Sequence, residues 1–246
     1  MKVVFLGTNG WYDTQTGNTL CVLVETRNEY IIFDAGNGFY KIDQFIKQEK
    51  PIYVFLSHYH IDHIAGFHML VKFKFAQGMN IYGPAGLRKC FNDVVKKPYT
   101  VPIKRLKMKV RLVELHKNTQ VPIDIRFAGL LHSTKCYGYR LAADGKVVTF
   151  CTDTGICDNL LELAKNADLL ITECSFMSGQ ENKKWPHLNP ETAAKTAVLA
   201  KVKKLALVHF DASLYTSLNE RKVAEKKAQD IFKSAFAAFD GQDVLV

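Results

Sequence analysis

Residues 55–63 read Phe-Leu-Ser-His-Tyr-His-Ile-Asp-His, an apolar run that ends in three histidines and an aspartate within six positions. Imidazole and carboxylate side chains packed this closely are the donors from which proteins build divalent-metal sites. Side chains two apart on extended backbone point the same way, so His58 and His60 can share one metal. Asp62 and His63 fall where the chain turns into a helical run from Ile64, so they project differently and can serve a second metal. This donor set suits Zn²⁺, with Mn²⁺ or Fe as competitors. The alternative is a polar loop whose histidines only hydrogen-bond. Three of the chain's eight histidines within six positions weigh against it.

Further ligands stand where apolar runs end. His132 follows the run 127–131, Asp153 follows 148–152, and His209 follows 205–208. A lone His or Asp after a strand is usually a cap or a satisfied turn residue. Three repeats of the pattern beside the cluster favour a shared site.

The elements that must position these residues are short and numerous. Apolar, β-rich runs cover 2–7, 19–25, 30–34, 52–57, 111–115, 123–131, 136–141, 147–151, 169–172 and 205–209. Helical stretches are predicted at 38–49, 61–72, 84–95, 158–166, 190–203 and 218–236. Asn189 before Pro190 reads as an N-cap with proline in the first turn, and Ser217-Leu218-Asn219-Glu220 as a capping box. In the last helical stretch Ala224, Ala228, Ile231, Phe232, Ala235 and Phe239 share a face, as in a surface helix laid on a sheet. The pattern is a layered α/β arrangement, and no repeat or linker divides it. The 246 residues, 48% of them hydrophobic and 23% charged, suit a single domain over 1–246 and exclude a disordered or fibrous chain.

Charge and cysteine content narrow the setting. With 33 basic and 24 acidic residues the net charge is +9, which favours anionic partners. The apolar run after Met1-Lys2 breaks at Gly7, too early for an export signal, and no apolar stretch is long enough to span a membrane. Six scattered cysteines without a Cys-x-x-Cys pair read as reduced thiols in the cytoplasm, Cys151 and Cys157 being the one pair close enough in sequence to consider as a disulfide.

His-x-His-x-Asp-His at 58–63, His132 with Gly138-Tyr139-Arg140 after it, Thr152-Asp153-Thr154, and His209 resemble the successive motifs of the metallo-β-lactamase superfamily. The resemblance runs from Phe5-Leu6-Gly7-Thr8 to His209. It implies a four-layered αββα sandwich with two metals at one edge. His58, His60 and His132 would hold one, Asp62, His63 and His209 the other, and Asp153 would bridge them. Within the superfamily the chain looks most like ribonuclease Z-type phosphodiesterases. The segment 168–173 looks like their strand ending in a functional glutamate, Glu173. His187 ahead of Pro190-Glu191-Thr192-Ala193-Ala194 looks like their additional catalytic histidine.

That likeness implies a phosphodiesterase. Two cations would lower the pKa of a bridging water to give hydroxide, which Asp62 can also hydrogen-bond, and His187, oriented by Glu173, would protonate the departing oxygen. Relatives that process tRNA usually carry a long basic arm between the residues matching His132 and Asp153. This chain has only a short connection there. The resemblance therefore points to arm-less relatives that cleave cyclic or small phosphodiesters, with RNA as the other substrate class and a homodimer as the implied assembly. A lactonase or thioesterase of the same fold is the alternative, for which the His187/Glu173 pair would be incidental. A di-iron redox protein would be expected to show an acidic ligand in place of a histidine and an attached flavin domain, and neither is visible in these residues. Seven basic residues and no acid lie between Lys96 and Arg111, and Lys107, Lys109 and Arg111 alternate with Met108, Val110 and Leu112. That strip is either a solvated strand face or a track for a phosphate backbone, the former slightly preferred. Trp185, two residues before His187, could stack a base.

Overall fold

The computed structural model describes residues 1–246. Its first half forms β1 (Lys2–Gly7), β2 (Asn9–Gly10), β3 (Cys21–Glu25), β4 (Tyr30–Phe33), β5 (Ile52–Phe55), α1 (Ile61–Ile64), β6 (Met79–Gly83), α2 (Leu87–Val94) and β7 (Val110–Glu114). Its second half forms β8 (Ile125–Gly129), β9 (Tyr137–Ala143), β10 (Lys146–Cys151), α3 (Asp158–Ala164), β11 (Leu169–Glu173) and α4 (Pro190–Leu199). There follow β12 (Leu205–Val208), β13 (Phe210–Asp211), α5 (Leu218–Gln229), β14 (Ala235–Ala237) and β15 (Asp243–Leu245). Seven strands pair in the order β15-β1-β3-β4-β5-β6-β7 and six in the order β14-β12-β11-β10-β9-β8, while β2 and β13 make a small parallel pair.

The period-two alternation of each strand sorts its side chains into layers. In β1, Val4 and Leu6 face outward, where they meet Phe39, Phe67, Leu70, Leu87 and Phe91 from α2 and two 3₁₀ segments, Asn37–Gln44 and Ala65–Lys72. Val3 and Phe5 face inward to a second core, shared with Leu141, Phe150, Leu169 and Ile171 of the other sheet. There Phe33 and Phe150 stack with ring centroids 4.9 Å apart, bolting the sheets together. On the far side Leu170, Leu205 and Leu207 meet Leu160, Ala194 and Ala224 of α3, α4 and α5. Two helical layers thus enclose two sheets, the αββα sandwich that the family resemblance implies.

Strand direction then places the site. β4, β5, β6 and β7 run parallel, as do β10, β11, β12 and β14. β8 runs with β10, since each is antiparallel to β9. The carboxyl ends of these strands are where open α/β sheets bind ligands.

Most predicted strands and both predicted caps form. Asn189 Oδ1 accepts from the Thr192 amide at 2.8 Å, and Ser217 and Glu220 satisfy each other's amides. The predicted helix 218–236 stops at Gln229, because 235–237 leaves it to pair as β14 beside β12. Of the apolar face expected there, Ala235 therefore belongs to a sheet edge. The stretches 38–49 and 61–72 are mostly 3₁₀ helix, and β6, a short strand with polar Asn80 second and Gly83 last, is not among the predicted strands. All six cysteines are free, so Cys151 and Cys157 are not bridged. No helix is long and apolar enough to cross a membrane.

Candidate metal centre and active site

Five strands deliver polar side chains as they leave the core. Asp34 follows β4, His58 to His63 follow β5, Asp153 follows β10, Glu173 closes β11 and His209 follows β12. His132 lies just beyond β8. Asp34, Asp153 and His209 each adopt positive φ, at 58°, 49° and 52°. Such backbone costs about 1–3 kcal/mol where the residue is bulky, and it persists at functional sites because surrounding structure enforces it. Gly10 is part of that enforcement for His209. A Cβ there would lie 2.6 Å from His209 Cε1, so only glycine lets the imidazole pack down on β2.

Neighbouring hydroxyls and a buried carboxylate decide which nitrogen each buried histidine offers. Ser57 Oγ donates to Asp34 Oδ2 at 2.8 Å, so it accepts from His58 Nδ1 at 2.9 Å. His63 Nδ1 donates to Asp34 Oδ2 at 2.7 Å. Ser175 Oγ donates to the His209 carbonyl at 3.0 Å and accepts from His209 Nδ1, also at 3.0 Å. In all three rings Nδ1 carries a proton, so in the neutral, ligating form the Nε2 lone pair points at the cluster.

The predicted ligands gather as two adjoining groups. His58, His60, His132 and Asp153 bring their donor atoms within 4.8 Å of one another, and so do Asp62, His63 and His209. Asp153 also touches the second group, its Oδ1 lying 3.4 Å from both His63 Nε2 and His209 Nε2. His63 Nε2 and His209 Nε2 approach to 3.1 Å, and Asp62 Oδ2 stands 3.3 Å from the latter.

A cation fits this arrangement on the protein's own terms. His58 Nε2 and both ring nitrogens of His132 are buried without any hydrogen-bond partner, a costly omission unless a ligand takes the lone pair. Burial pushes the imidazole of His132 down to about 4 and that of His58 well below its ordinary value, so both are held in the neutral, ligating form. Burial would also lower His63, but Asp153, Asp62 and Asp34 outweigh it and hold it raised, at about 10. Burial would raise Asp62 and Asp153, yet the surrounding histidines keep both carboxyls below their ordinary range. The cluster's carboxylates demand positive charge: without a metal a second proton on His63 supplies it, and a cation beside His63 Nε2 and His209 Nε2, 3.1 Å apart, would take that proton's place.

Beside the cluster lies the other predicted pair. His187 Nδ1 donates to Glu173, 2.8 Å from Oε1 and 2.9 Å from Oε2, and Glu173, fully buried, also accepts from the Thr154 amide. Burial would lower the His187 imidazole, but the Glu173 carboxylate prevails and raises it to about 9. Its ring meets the His132 ring edge-on, 5.6 Å centroid to centroid. An imidazolium with Nδ1 committed has one proton left to give, on Nε2.

Above these groups is a cavity of about 410 Å³ lined by Trp11, His60, Asp62, His132, Asp153, His187, His209 and Asp211, with Ile61, Ser175, Phe176 and Trp185. Asp34, Ser57, Ser175 and Trp11 escaped the sequence reading. The first three are common residue types whose role comes from tertiary neighbours. Trp11 enters through its backbone, whose N–H donates to Asp62 Oδ2 at 2.9 Å. Its segment is held by buried Arg221 of α5, which donates to Thr8 Oγ1 at 2.8 Å, to Thr16 Oγ1 at 2.9 Å and to Asn9 Oδ1. The basic strip is elsewhere. Lys107, Lys109 and Arg111 are exposed while Met108 and Leu112 are buried, at the amino end of edge strand β7, opposite the strand ends that carry the cluster.

Comparison with known proteins agrees with this geometry. A family profile described as the beta-lactamase superfamily domain matches residues 29–210. Ribonuclease Z of Prochlorococcus marinus strain MIT 9301 is 27% identical, and the alignment covers 98% of each chain. Its 312 positions exceed the length of this chain, so that relative carries insertions. Among solved structures, the metallo-beta-lactamase fold protein YhfI from Bacillus subtilis superposes with a TM-score of 0.81 at 25% identity, covering 99% of this chain and 98% of YhfI. The short form of human tRNase Z superposes with a TM-score of 0.78 at 22% identity, covering 100% of this chain and 99% of the other.

Proposed function

The chain belongs to the beta-lactamase superfamily, and from that premise we propose that it is a ribonuclease Z-like, metal-dependent phosphodiesterase acting on RNA or on a small or cyclic nucleotide. His58, His60 and His132 would hold one divalent cation and Asp62, His63 and His209 a second, with Asp153 between them; the nitrogen-rich donor set favours Zn²⁺. When bound, such a pair supplies Lewis acidity to a phosphoryl oxygen and an acidified water as nucleophile. The protein's own share is orientation and proton transfer. Ser57, Asp34 and Ser175 fix the histidine tautomers, and the Trp11 amide fixes Asp62. Glu173 holds Nδ1 of His187, so that Nε2 carries the proton to the leaving alkoxide.

The His187–Glu173 contact carries this reading. An ester of a sugar alcohol leaves as a poor, basic alkoxide and needs a proton donor, whereas a lactonase or thioesterase has less use for one. Replacing His187 by Ala is expected to slow hydrolysis of a diester with an alkyl leaving group by about 10²–10⁴-fold. Turnover of bis-p-nitrophenyl phosphate, whose leaving group needs no proton, should fall far less. Equal losses on both substrates would remove His187 from the proton-donor role.

A further inference from the structure

The chain has two tryptophans, and both line the cavity over the ligand cluster. They attend different halves of it. The Trp11 backbone binds Asp62, while the Trp185 ring stands 6.5 Å from the His60 ring and 6.0 Å from the His132 ring, centroid to centroid. Neither indole is spent on the core: Trp11 is 61% exposed and Trp185 37%. Indoles that remain this open gain little for the fold and are typical of binding surfaces. Trp11 moreover holds a φ of 69°, a conformation bulky residues rarely take and one found at ligand clamps. Ile61, 69% exposed between ligands His60 and Asp62, adds apolar surface to the same cavity.

Charge points the same way. Although the chain carries 33 lysines and arginines, none lines the cavity, and Asp211 adds a carboxylate to its wall. Asp211 Oδ1 is held by the Ser213 amide at 2.8 Å and the Ser213 hydroxyl at 2.6 Å, which fixes the acid in place. A polynucleotide would need cations for its flanking phosphates. A second phosphate here would instead meet Asp211.

We propose that Trp11 and Trp185 form an aromatic clamp that selects a small phosphodiester carrying one phosphate and a flat aromatic base, a mononucleotide diester, over a polynucleotide or an alkyl diester. The clamp rests on the phosphodiesterase reading and adds the substrate class to it.

The test uses metal-loaded protein and its indole fluorescence, which arises only from the clamp. Thymidine 5′-monophosphate should quench it saturably, and ribose 5-phosphate should not. In turnover, two esters with one leaving group are compared, thymidine 5′-p-nitrophenyl phosphate and methyl p-nitrophenyl phosphate. The thymidine ester should be favoured in kcat/KM by about tenfold or more, the scale of one base stacked on an aromatic side chain. Trp11→Ala and Trp185→Ala should each cost the thymidine ester about tenfold more than the methyl ester. Equal quenching by both phosphates, equal kcat/KM for both esters, or faster cleavage of an oligoribonucleotide than of the thymidine ester overturns the clamp. Failure to hydrolyse any of these diesters overturns the phosphodiesterase reading instead, and the fluorescence titration then decides the clamp by itself.

Discussion

Asp34 makes no direct approach to the cavity, yet three groups converge on its buried carboxylate: the Ser57 amide at 2.7 Å, the Ser57 hydroxyl at 2.8 Å and His63 Nδ1 at 2.7 Å. Through Ser57 it also reaches His58. One side chain therefore sets the tautomer of a histidine in each half of the cluster. Asp34→Asn keeps the shape but exchanges an anionic acceptor for an amide, one end of which can only donate. Partners of this kind typically change metal affinity by 10–100-fold. The expected outcome is a metal affinity lower by about that factor, measured by chelator competition, with activity regained at high metal concentration. Unchanged affinity would mean that His58 and His63 hold their tautomers without it. The same distinction explains what could be read from the chain beforehand. His58, His60, Asp62, His63, His132, Asp153 and His209 are rare, chemically explicit types at the ends of apolar runs, so their spacing speaks for itself. Asp34 and the two serines are ordinary residues whose meaning exists only once β4 lies beside β5 and β11 beside β12.

At the level of elements, what a local pattern could determine was legible and what long-range pairing determined was not. The caps of α4 and α5 depend on side chains three residues apart, and both form as predicted. β14 depends on β12, some thirty residues earlier, and falls within a helix prediction that its two alanines and one phenylalanine suit equally well. The cap of α4 has a further consequence for the site. Asn189 Nδ2 donates to the Gln180 carbonyl at 2.9 Å, tying the start of the helix to the loop that presents Trp185 and His187. Asn189→Ala is expected to cost about 1 kcal/mol of stability through the lost cap. It should also raise KM more than it lowers kcat, because the loop loosens while the cluster stays. Parallel losses in kcat would place the loop's order inside the chemical step rather than in binding.

The four layers share the work unevenly: three apolar cores hold the sandwich, and one polar edge carries uncompensated lone pairs at His58 and His132. A metal bound at a hundred times its dissociation constant stabilises by about 2.7 kcal/mol. In a domain of this size that corresponds to a Tm higher by roughly 5–10 °C than after chelation. A Tm indifferent to chelation would leave the ligand set without its cation. The net charge of +9 acts at a different place. Lys107 and Lys109 stand at the amino end of an edge strand, facing away from the strand ends that hold the cluster, so phosphates attracted there are not led into the cavity. Each lysine that neutralises a phosphate of single-stranded RNA contributes about 0.7 to the slope of log affinity against log salt. Neutralising both as Lys107→Gln and Lys109→Gln should flatten the salt dependence of RNA binding by up to about 1.4 in that slope. It should leave kcat/KM for thymidine 5′-p-nitrophenyl phosphate unchanged. A fall in that kcat/KM would connect the strip to catalysis after all, and an unaltered RNA slope would return it to the role of a solvated, charge-protected sheet edge.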